Sequence, residues 1–288
     1  MKILMVLSLL VASISVNAEP LYWKAQKGPL TYTIIGSVHV GDESMYPLPE
    51  KIFKQLKASK GLIVETDIRQ TSGIQYPPID LVAKDVLTKQ QQDELLGIAT
   101  LLQLNGNELL LSPPWAVALA IQLKQIEYLG YSATDGVDIR LANKATLWKI
   151  PVIGLESLQF QIDVLTGQDQ AGKEMLISAI EEFDHSEDST HCLIESWKAG
   201  DLAKLNEFAT LTEMSEQLES SLLTDRNLDW AEKLSNPNWL PDNKGSYVVV
   251  VGTLHLLGEQ SVLQLLKDNG FKISQLSQST KAQCEFKY

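Results

Sequence analysis

Short apolar runs near the two ends of the chain predict β-strands, and longer stretches with helical spacing lie between them. Residues 21–25 and 31–37 are β-branched and aromatic runs around a Lys-Gly-Pro turn signal at 27–29, which together predict a hairpin. Residues 49–59 carry apolar side chains at helical spacing, and 61–64 are typical of a buried strand. A strand, a helix and a strand in this order predict a βαβ unit with a parallel strand pair.

The rest of the chain alternates short strand signals with long helical ones. Residues 69–80 form a loop, and the pattern is mainly helical over roughly 81–149 and 157–240. The remaining signals are a strand at 151–155, the strongest strand at 246–252, a helix at about 258–268 and a last strand at 271–276. We therefore predict an α/β fold with a central mixed, partly parallel sheet formed by both ends of the chain. The helical middle is then a large insertion or cap.

The first 18 residues have the pattern of a secretory signal peptide. Lys2 provides a short positive region, 3–11 an apolar run, and Val-Asn-Ala at 16–18 a small-residue cleavage pattern. An uncleaved membrane anchor is the alternative, but the run is shorter than the roughly 20 residues that span a bilayer. We therefore expect residues 19–288 to form a single α/β domain that is periplasmic or secreted. No stable membrane insertion is expected after cleavage.

Composition and charge exclude several classes of protein. With 44% hydrophobic and 21% charged residues, the 288-residue chain has the composition of a globular protein and not of a disordered one. Its formal net charge of −12 argues against a nucleic-acid partner, because such binding depends on neutralising phosphates. The sequence contains no GxSxG, Walker or GxGxxG motif, and no pattern in it indicates a particular oligomeric state.

The two cysteines, Cys192 and Cys284, lie far apart in the sequence. In an exported protein an even pair favours a disulfide, which would join the helical middle to the C-terminal tail. The alternative is a pair of separate, partly buried thiols. A zinc site is disfavoured because there is no CxxC motif.

Three polar side chains follow three predicted strands. His39 lies in a Gly-Ser-Val-His segment after the second strand, and His255 lies in a Gly-Thr-Leu-His segment after the strongest one. Glu65 directly follows the apolar run at 62–64. Ligands of open α/β sheets bind outside the carboxyl ends of the strands, so these side chains are expected to meet at one sheet edge. The alternative is that the histidines only cap strand ends through hydrogen bonds.

This set of side chains suits two kinds of hydrolytic chemistry. Two imidazoles and a carboxylate are an ordinary ligand set for Zn²⁺, Mn²⁺, Co²⁺ or Fe²⁺, and such an ion makes water acidic enough to react near neutral pH. In a metal-free version, one histidine is the general base, Glu65 orients it, and the other histidine binds a developing oxyanion.

Three further residues are candidates from their positions alone. Glu156 follows the strand at 151–155 and is expected to reach the same edge, with helix capping as the alternative. Asp138 opens a helix, where it either stabilises the helix N-terminus or contributes to the site. Arg226 is a planar donor suited to a carboxylate or an oxyanion, although most helical arginines lie on solvated faces.

Six segments in order resemble the TraB/GumN family, which is similar to the TIKI metalloproteases and, more distantly, to the erythromycin-esterase-like and ChaN-like proteins. The segments are GSVHVGDESMYPLP, LIVETD, GVDIRLANKA, PVIGLESLQFQ, DRNLDWA and VVVVGTLHLLG. The resemblance covers about residues 22–276. It implies that His39, His255, Glu65 and Arg226 are active-site residues. It also implies an α/β architecture whose helical middle diverges between members.

The resemblance bears on the activity as well. TIKI relatives are described as Mn- or Co-dependent peptidases, and TraB-related proteins are linked to shutting down peptide pheromone signals. We therefore expect an exported metal-dependent hydrolase, most plausibly a peptidase, that uses Mn, Co or Zn and acts on a peptide or small-molecule substrate. The alternatives are a periplasmic protein that binds a peptide or haem-like ligand without turnover, and a metal-independent esterase-like hydrolase.

Overall fold

Both ends of the chain build one mixed β-sheet in this computed structural model, which describes residues 19–211 and 214–287. The predicted signal peptide, residues 1–18, lies outside the described residues. The strands are β1 (Tyr22–Lys27), β2 (Leu30–Ser37), β3 (Leu62–Val64), β4 (Val152–Gly154), β5 (Gly245–Gly252) and β6 (Lys272–Gln275). Their order in the sheet is β4-β3-β5-β2-β1-β6. The predicted α/β class and the sheet formed from both chain ends are confirmed.

The direction of the strands places the carboxyl ends of four parallel strands side by side. β5 pairs in parallel with β2 on one side and with β3 on the other, and β3 pairs in parallel with β4. β1 is antiparallel to both β2 and β6, as the predicted hairpin requires. The predicted pairing of β2 with β3 is wrong, because β5 lies between them. The valines of β5 are buried on both faces of the sheet, which suits this central position.

Helices fill the chain between the strands. They are α1 (Glu50–Ala58), α2 (Ala83–Val86), α3 (Lys89–Leu101), α4 (Gly106–Leu110), α5 (Pro114–Tyr128), α6 (Val137–Leu147), α7 (Leu158–Thr166), α8 (Lys173–Glu181), α9 (Ser186–Ala199), α10 (Leu202–Leu211), α11 (Glu216–Glu219), α12 (Asp225–Ser235) and α13 (Val262–Asp268). Five of them lie between β3 and β4, and six lie between β4 and β5. That these helices form a cap over the site stays a prediction.

Two hydrophobic clusters occur in the described part of the chain. The larger one surrounds the sheet and includes the buried face of α1, with Ile52 and Leu56 at helical spacing. The smaller one packs the four helices from α2 through α5 against α8 and contains no strand residue. The sheet that carries the predicted site residues therefore has its own core.

Two local structures differ from the predicted pattern. The helix expected from about residue 258 begins at Val262, because the Ser261 side chain accepts a hydrogen bond from the Gln264 amide and caps the helix there. A π-helical turn, Ser220–Thr224, directly precedes α12. Such turns are frequent at functional sites, and this one ends two residues before Arg226.

A disulfide joins Cys192 in α9 to Cys284 in the C-terminal segment. Next to it, the backbone amide of Thr280 donates to the carbonyl of Ala199, and that of Ala282 donates to the Asp201 carboxylate. The segment after β6 is therefore fastened to the α9–α10 region. Across the described residues, none of the helices combines the length and the apolar character needed to cross a membrane.

Candidate functional site

His39, Glu65 and His255 lie just beyond the carboxyl ends of three neighbouring parallel strands. His39 is two residues past the end of β2, and Glu65 directly follows β3. His255 lies in a 3₁₀ turn, Thr253–Leu256, that follows β5. Because β5 lies between β2 and β3, the three side chains share one edge of the sheet.

One carboxylate oxygen is the point on which the two imidazoles converge. The Nε2 atom of His39 lies 3.8 Å from Oε1 of Glu65, and the Nε2 atom of His255 lies 3.9 Å from the same oxygen. The side chains of Glu65 and His255 are 8% and 6% exposed, whereas that of His39 is 59% exposed. The site is thus buried on the β3 and β5 side and open to solvent at His39.

His255 is held in one tautomer by Asn227 of α12. The Asn227 side-chain nitrogen donates to the carbonyl of Gln260 at 3.0 Å, so its oxygen is the atom that faces Nδ1 of His255, at 2.7 Å. Nδ1 therefore carries the proton, and Nε2 presents a lone pair toward Glu65. Burial, together with the charges of Arg226 and His39, outweighs the opposing charge of Glu65 and lowers the pKa of His255 to about 4.

His39 is held from the other side by Asp138 at the start of α6. Nδ1 of His39 lies 3.3 Å from the Asp138 carboxylate, and the Val137 amide donates to the carbonyl of Val38. Gly136 makes this approach possible, because a Cβ atom there would lie 2.6 Å from the His39 carbonyl oxygen. Desolvation lowers the pKa of His39, but the Asp138 hydrogen bond and the Glu65 charge outweigh it and raise the pKa to about 9. Solvent at the exposed ring screens part of this effect.

Glu65 is held as a carboxylate by donors from two directions. The backbone amide of Gly252 donates to Oε1 at 2.6 Å, and Nη2 of Arg226 donates to Oε2 at 2.8 Å. Burial raises the pKa of Glu65, but the charges of His39, His255 and Arg226 together with the Gly252 hydrogen bond lower it to about 2. Glu65 is therefore ionised throughout the neutral range.

Arg226 links Glu65 to the buried Glu156. Its Nε and Nη2 atoms donate to the Glu156 carboxylate at 3.2 and 2.7 Å, and its Nη1 donates to the Leu222 carbonyl and lies 3.3 Å from Nε2 of His255. With the bond to Glu65, all five N–H groups of the guanidinium have an acceptor in the described protein. Burial lowers the pKa of Arg226, but the hydrogen bonds and charges of Glu156 and Glu65 outweigh this effect and raise the pKa above its usual value.

The structure brings the six predicted site residues into one network and adds partners that the sequence pattern did not single out. Trp230 and Gln161 donate to Glu156 at 3.0 and 2.9 Å, and the Trp230 ring lies 4.4 Å from the His255 ring. Trp230 follows Arg226 by four residues in the same helix, so the two side chains share a helix face. This spacing could have indicated that Trp230 lies near the site. Gly252 belongs to the Gly-Thr-Leu-His segment that the sequence analysis singled out, whereas no pattern indicated the contact of Asn227. Helix capping after β4 is performed by Ser157 and not by Glu156.

The donor set is chemically suited to a divalent metal. Both histidines direct Nε2 toward one carboxylate oxygen, and each has its Nδ1 against a carboxylate or an amide oxygen, which is the usual support of metal-bound imidazoles. In the described residues, however, no group of three or more His, Cys, Asp or Glu side chains is already arranged as a metal-holding cluster. The two atoms that would bind the metal already have partners. The Gly252 amide donates to Oε1 of Glu65, and Nη1 of Arg226 lies against Nε2 of His255.

The sequence matches the TraB/PrgY/gumN family over residues 21–275, which includes all six predicted site residues. It is 30% identical over 238 residues to the "Uncharacterized protein YbaP" of Escherichia coli strain K12, which covers 82% of this chain and 88% of that protein. The Shigella flexneri protein of the same name is 30% identical over 236 residues, with coverages of 81% and 87%. No solved structure matches the chain significantly. The chain therefore belongs to the TraB/PrgY/gumN family.

Proposed function

We propose that this protein is an exported hydrolase that acts on peptides with a divalent metal held by His39, Glu65 and His255. The observation that carries the proposal is the convergence of the two Nε2 atoms on Oε1 of Glu65, at 3.8 and 3.9 Å. Mn²⁺, Co²⁺ and Zn²⁺ all accept two imidazoles and one carboxylate and leave positions for water and substrate. A bound divalent cation supplies Lewis-acid activation of water near neutral pH.

The residues around the ligands have distinct roles in this proposal. Asp138 and Asn227 orient the two imidazoles so that Nε2 of each faces the reacting centre. Arg226 fixes Glu65 and places a positive charge beside the site, where it stabilises negative charge that develops on the substrate. Because its N–H groups are already engaged, Arg226 acts through this charge and not through a direct hydrogen bond. Glu156 holds Arg226 in place.

Export is part of the same proposal. The signal-peptide pattern at residues 1–18 supports it, and so does the disulfide between Cys192 and Cys284, because disulfides persist in oxidising compartments. A peptide reaching such a compartment is then the substrate class, with no nucleic-acid partner and no stable membrane insertion of the cleaved protein.

Metal content and peptide cleavage test the proposal together. The protein is purified without a metal-affinity tag, stripped with a chelator and reloaded separately with Mn²⁺, Co²⁺ or Zn²⁺. We expect about one bound ion per chain and cleavage of a peptide mixture that the chelator abolishes, with both lost in His39→Ala and Glu65→Gln. His185→Ala removes an exposed histidine outside the site and is the matched control. A wild-type protein that binds no metal would refute the metal site, and recovery of intact peptides would refute turnover.

A metal-independent hydrolase is the second candidate. The supporting observation is that the pKa of His255 is lowered to about 4 while that of His39 is raised to about 9, which separates a neutral base from a protonated acid. The contact between Nη1 of Arg226 and Nε2 of His255 also uses the lone pair that a metal would take. Hydrolysis that persists in the chelator and is lost in His255→Gln would favour this candidate.

A further inference from the structure

A cavity of about 210 Å³ opens beside the candidate site, between the loop after β3 and helix α6. His39 and Glu65 are among the residues that line it, and apolar side chains that include Val64, Ile139 and Ala142 form much of its wall. A protein cavity of about 150 Å³ holds a benzene molecule. This cavity, which we call the β3–α6 pocket, therefore has room for one side chain of the size of leucine or phenylalanine.

The charged groups in the wall of the β3–α6 pocket are already paired. Nε and Nη2 of Arg69 donate to the two Asp67 oxygens at 2.5 and 2.6 Å, and Asp138 faces His39. Glu65 is bound by Arg226. The second oxygen of Asp138, Oδ1, has no hydrogen-bond partner, but it is buried out of contact with solvent. A charged ligand side chain would therefore find no accessible unpaired opposite charge here, and burying it without one is costly. An uncharged apolar side chain meets no such penalty and gains from burial.

A hydrogen bond made by Arg69, one of the lining residues, bridges the two sides of the β3–α6 pocket. Arg69, in the loop after β3, donates from Nη1 to the side-chain oxygen of Thr146 in α6. The same guanidinium is fixed by Asp67, so the bridge ties the loop to the helix. The bridge thus holds the two sides of the pocket together, and the volume of about 210 Å³ between them suits one side chain.

We propose that the β3–α6 pocket is a specificity subsite that binds one uncharged apolar side chain of the substrate, adjacent to the bond that is hydrolysed. The inference rests on the proposed function for the peptide nature of the substrate. The apolar preference itself rests on the wall of the pocket and on its position beside His39 and Glu65.

Ligand binding tests the subsite without depending on turnover. The purified protein, with its isoleucine methyl groups labelled with ¹³C, is titrated with the N-acetyl methylamides of leucine, phenylalanine and aspartate. We expect the Ile139 methyl signal to shift with the leucine derivative, and the leucine derivative to bind at least about tenfold more tightly than the aspartate derivative. The signal of Ile180, which is buried in the smaller cluster, should not move.

Two substitutions should change the preference in opposite directions. Ala142→Phe fills the pocket and should weaken binding of the leucine derivative about tenfold or more. Ile139→Ala enlarges the pocket and should shift the preference toward the phenylalanine derivative. Reciprocal changes of this kind do not arise from a loss of folding. The control is Leu147→Ala in the same helix, which alters a side chain that is 76% exposed and does not line the pocket.

The outcomes separate this inference from the proposed function. No shift at Ile139, or equal affinity for the aspartate derivative, overturns the subsite. Peptide cleavage without preference for an apolar residue also overturns the subsite and leaves the hydrolase intact. Binding of the leucine derivative to a protein that cleaves no peptide supports the subsite and refutes the hydrolase.

Discussion

At the scale of single residues, the free space inside the site depends on Gly252. A Cβ atom at this position would lie 3.2 Å from Oε1 of Glu65, 3.5 Å from Nε2 of His39 and 3.4 Å from Cδ2 of His255. The backbone of Gly252 has φ −51° and ψ 139°, which any residue adopts. The glycine is thus required for the space between the three side chains and not for the backbone conformation.

If His39, Glu65 and His255 hold a metal as proposed, Gly252→Ala should fold but bind much less of it. The added methyl group would crowd the space among the proposed ligand atoms, so bound metal and peptide cleavage should each fall by a factor of about 100 or more. The melting temperature should change by only a few degrees, because the substitution costs on the order of 1 kcal/mol. Elemental analysis and thermal unfolding measure the two effects.

Gly97→Ala is the control for Gly252→Ala. It lies within α3, and an added Cβ atom there has nothing within 4 Å. It should leave the metal content unchanged and stabilise the helix slightly. Full metal occupancy in Gly252→Ala would contradict the assigned role of Gly252.

The buried His255 makes the metal-free protein sensitive to acid. Its pKa is about 4 in the folded protein, mainly because of burial, and about 6.5 in the unfolded chain. The unfolded chain therefore binds the proton first, and the stability contributed by neutral His255 is complete above pH 6.5 and is lost as the pH falls toward 4. Between pH 7.5 and 4.5, this loss amounts to about 2 to 3 kcal/mol.

Denaturant unfolding of wild-type protein and His255→Gln, both in chelator, measures this contribution. The variant should be less stable at pH 7.5, but its free energy of unfolding should fall by about 2 to 3 kcal/mol less than that of wild type when the pH is lowered to 4.5. Acidic groups away from the site contribute equally to both proteins. Parallel pH curves would show that the pKa of His255 is the same in the folded and unfolded protein, which contradicts the lowered pKa.

At the scale of elements, the position of His39 depends on contacts between the β2–α1 loop and the segment that opens α6. Gly41 and Ser132 exchange two backbone hydrogen bonds, at 3.0 and 2.9 Å. The Tyr46 hydroxyl donates to the Asp135 carbonyl at 2.5 Å, and the Arg140 guanidinium lies 3.9 Å from the centre of the Tyr46 ring. The loop that carries His39 and the helix that carries Asp138 are thus a single assembly.

The sequence pattern predicts the strand ends of the site and some of the partners of its residues, but not all of them. Apolar runs located β2, β3 and β5, and the polar residue after each run identified His39, Glu65 and His255. Periodicity reports the type of an element and not its neighbours, so the pattern missed β5 between β2 and β3. It missed Asn227 for the same reason, because its contact with His255 depends on how α12 packs on the sheet.

At the scale of the whole molecule, the disulfide fastens the end of the chain to the helical region. The bridge closes a segment of 92 positions between α9 and the C-terminal tail. A cross-link over a segment of this length removes conformational entropy from the unfolded chain, which is worth roughly 4 kcal/mol in the chain-entropy account. The site residues lie on α6 and α12 or just after β2, β3, β4 and β5, so the bridge contributes to stability and not to their geometry.

Removing the bridge should therefore lower stability and spare activity. We expect the double variant Cys192→Ala, Cys284→Ala to melt roughly 10 °C below wild type, as oxidised wild type should also do once a reductant is added. Metal content and peptide cleavage at 25 °C should stay within about twofold of wild type, since no site residue belongs to the cross-linked pair. The reductant should not change the melting temperature of the double variant, which separates the effect of the bridge from general effects of the reductant. Equal melting temperatures of oxidised and reduced wild type would show that the tail is held by its hydrogen bonds alone.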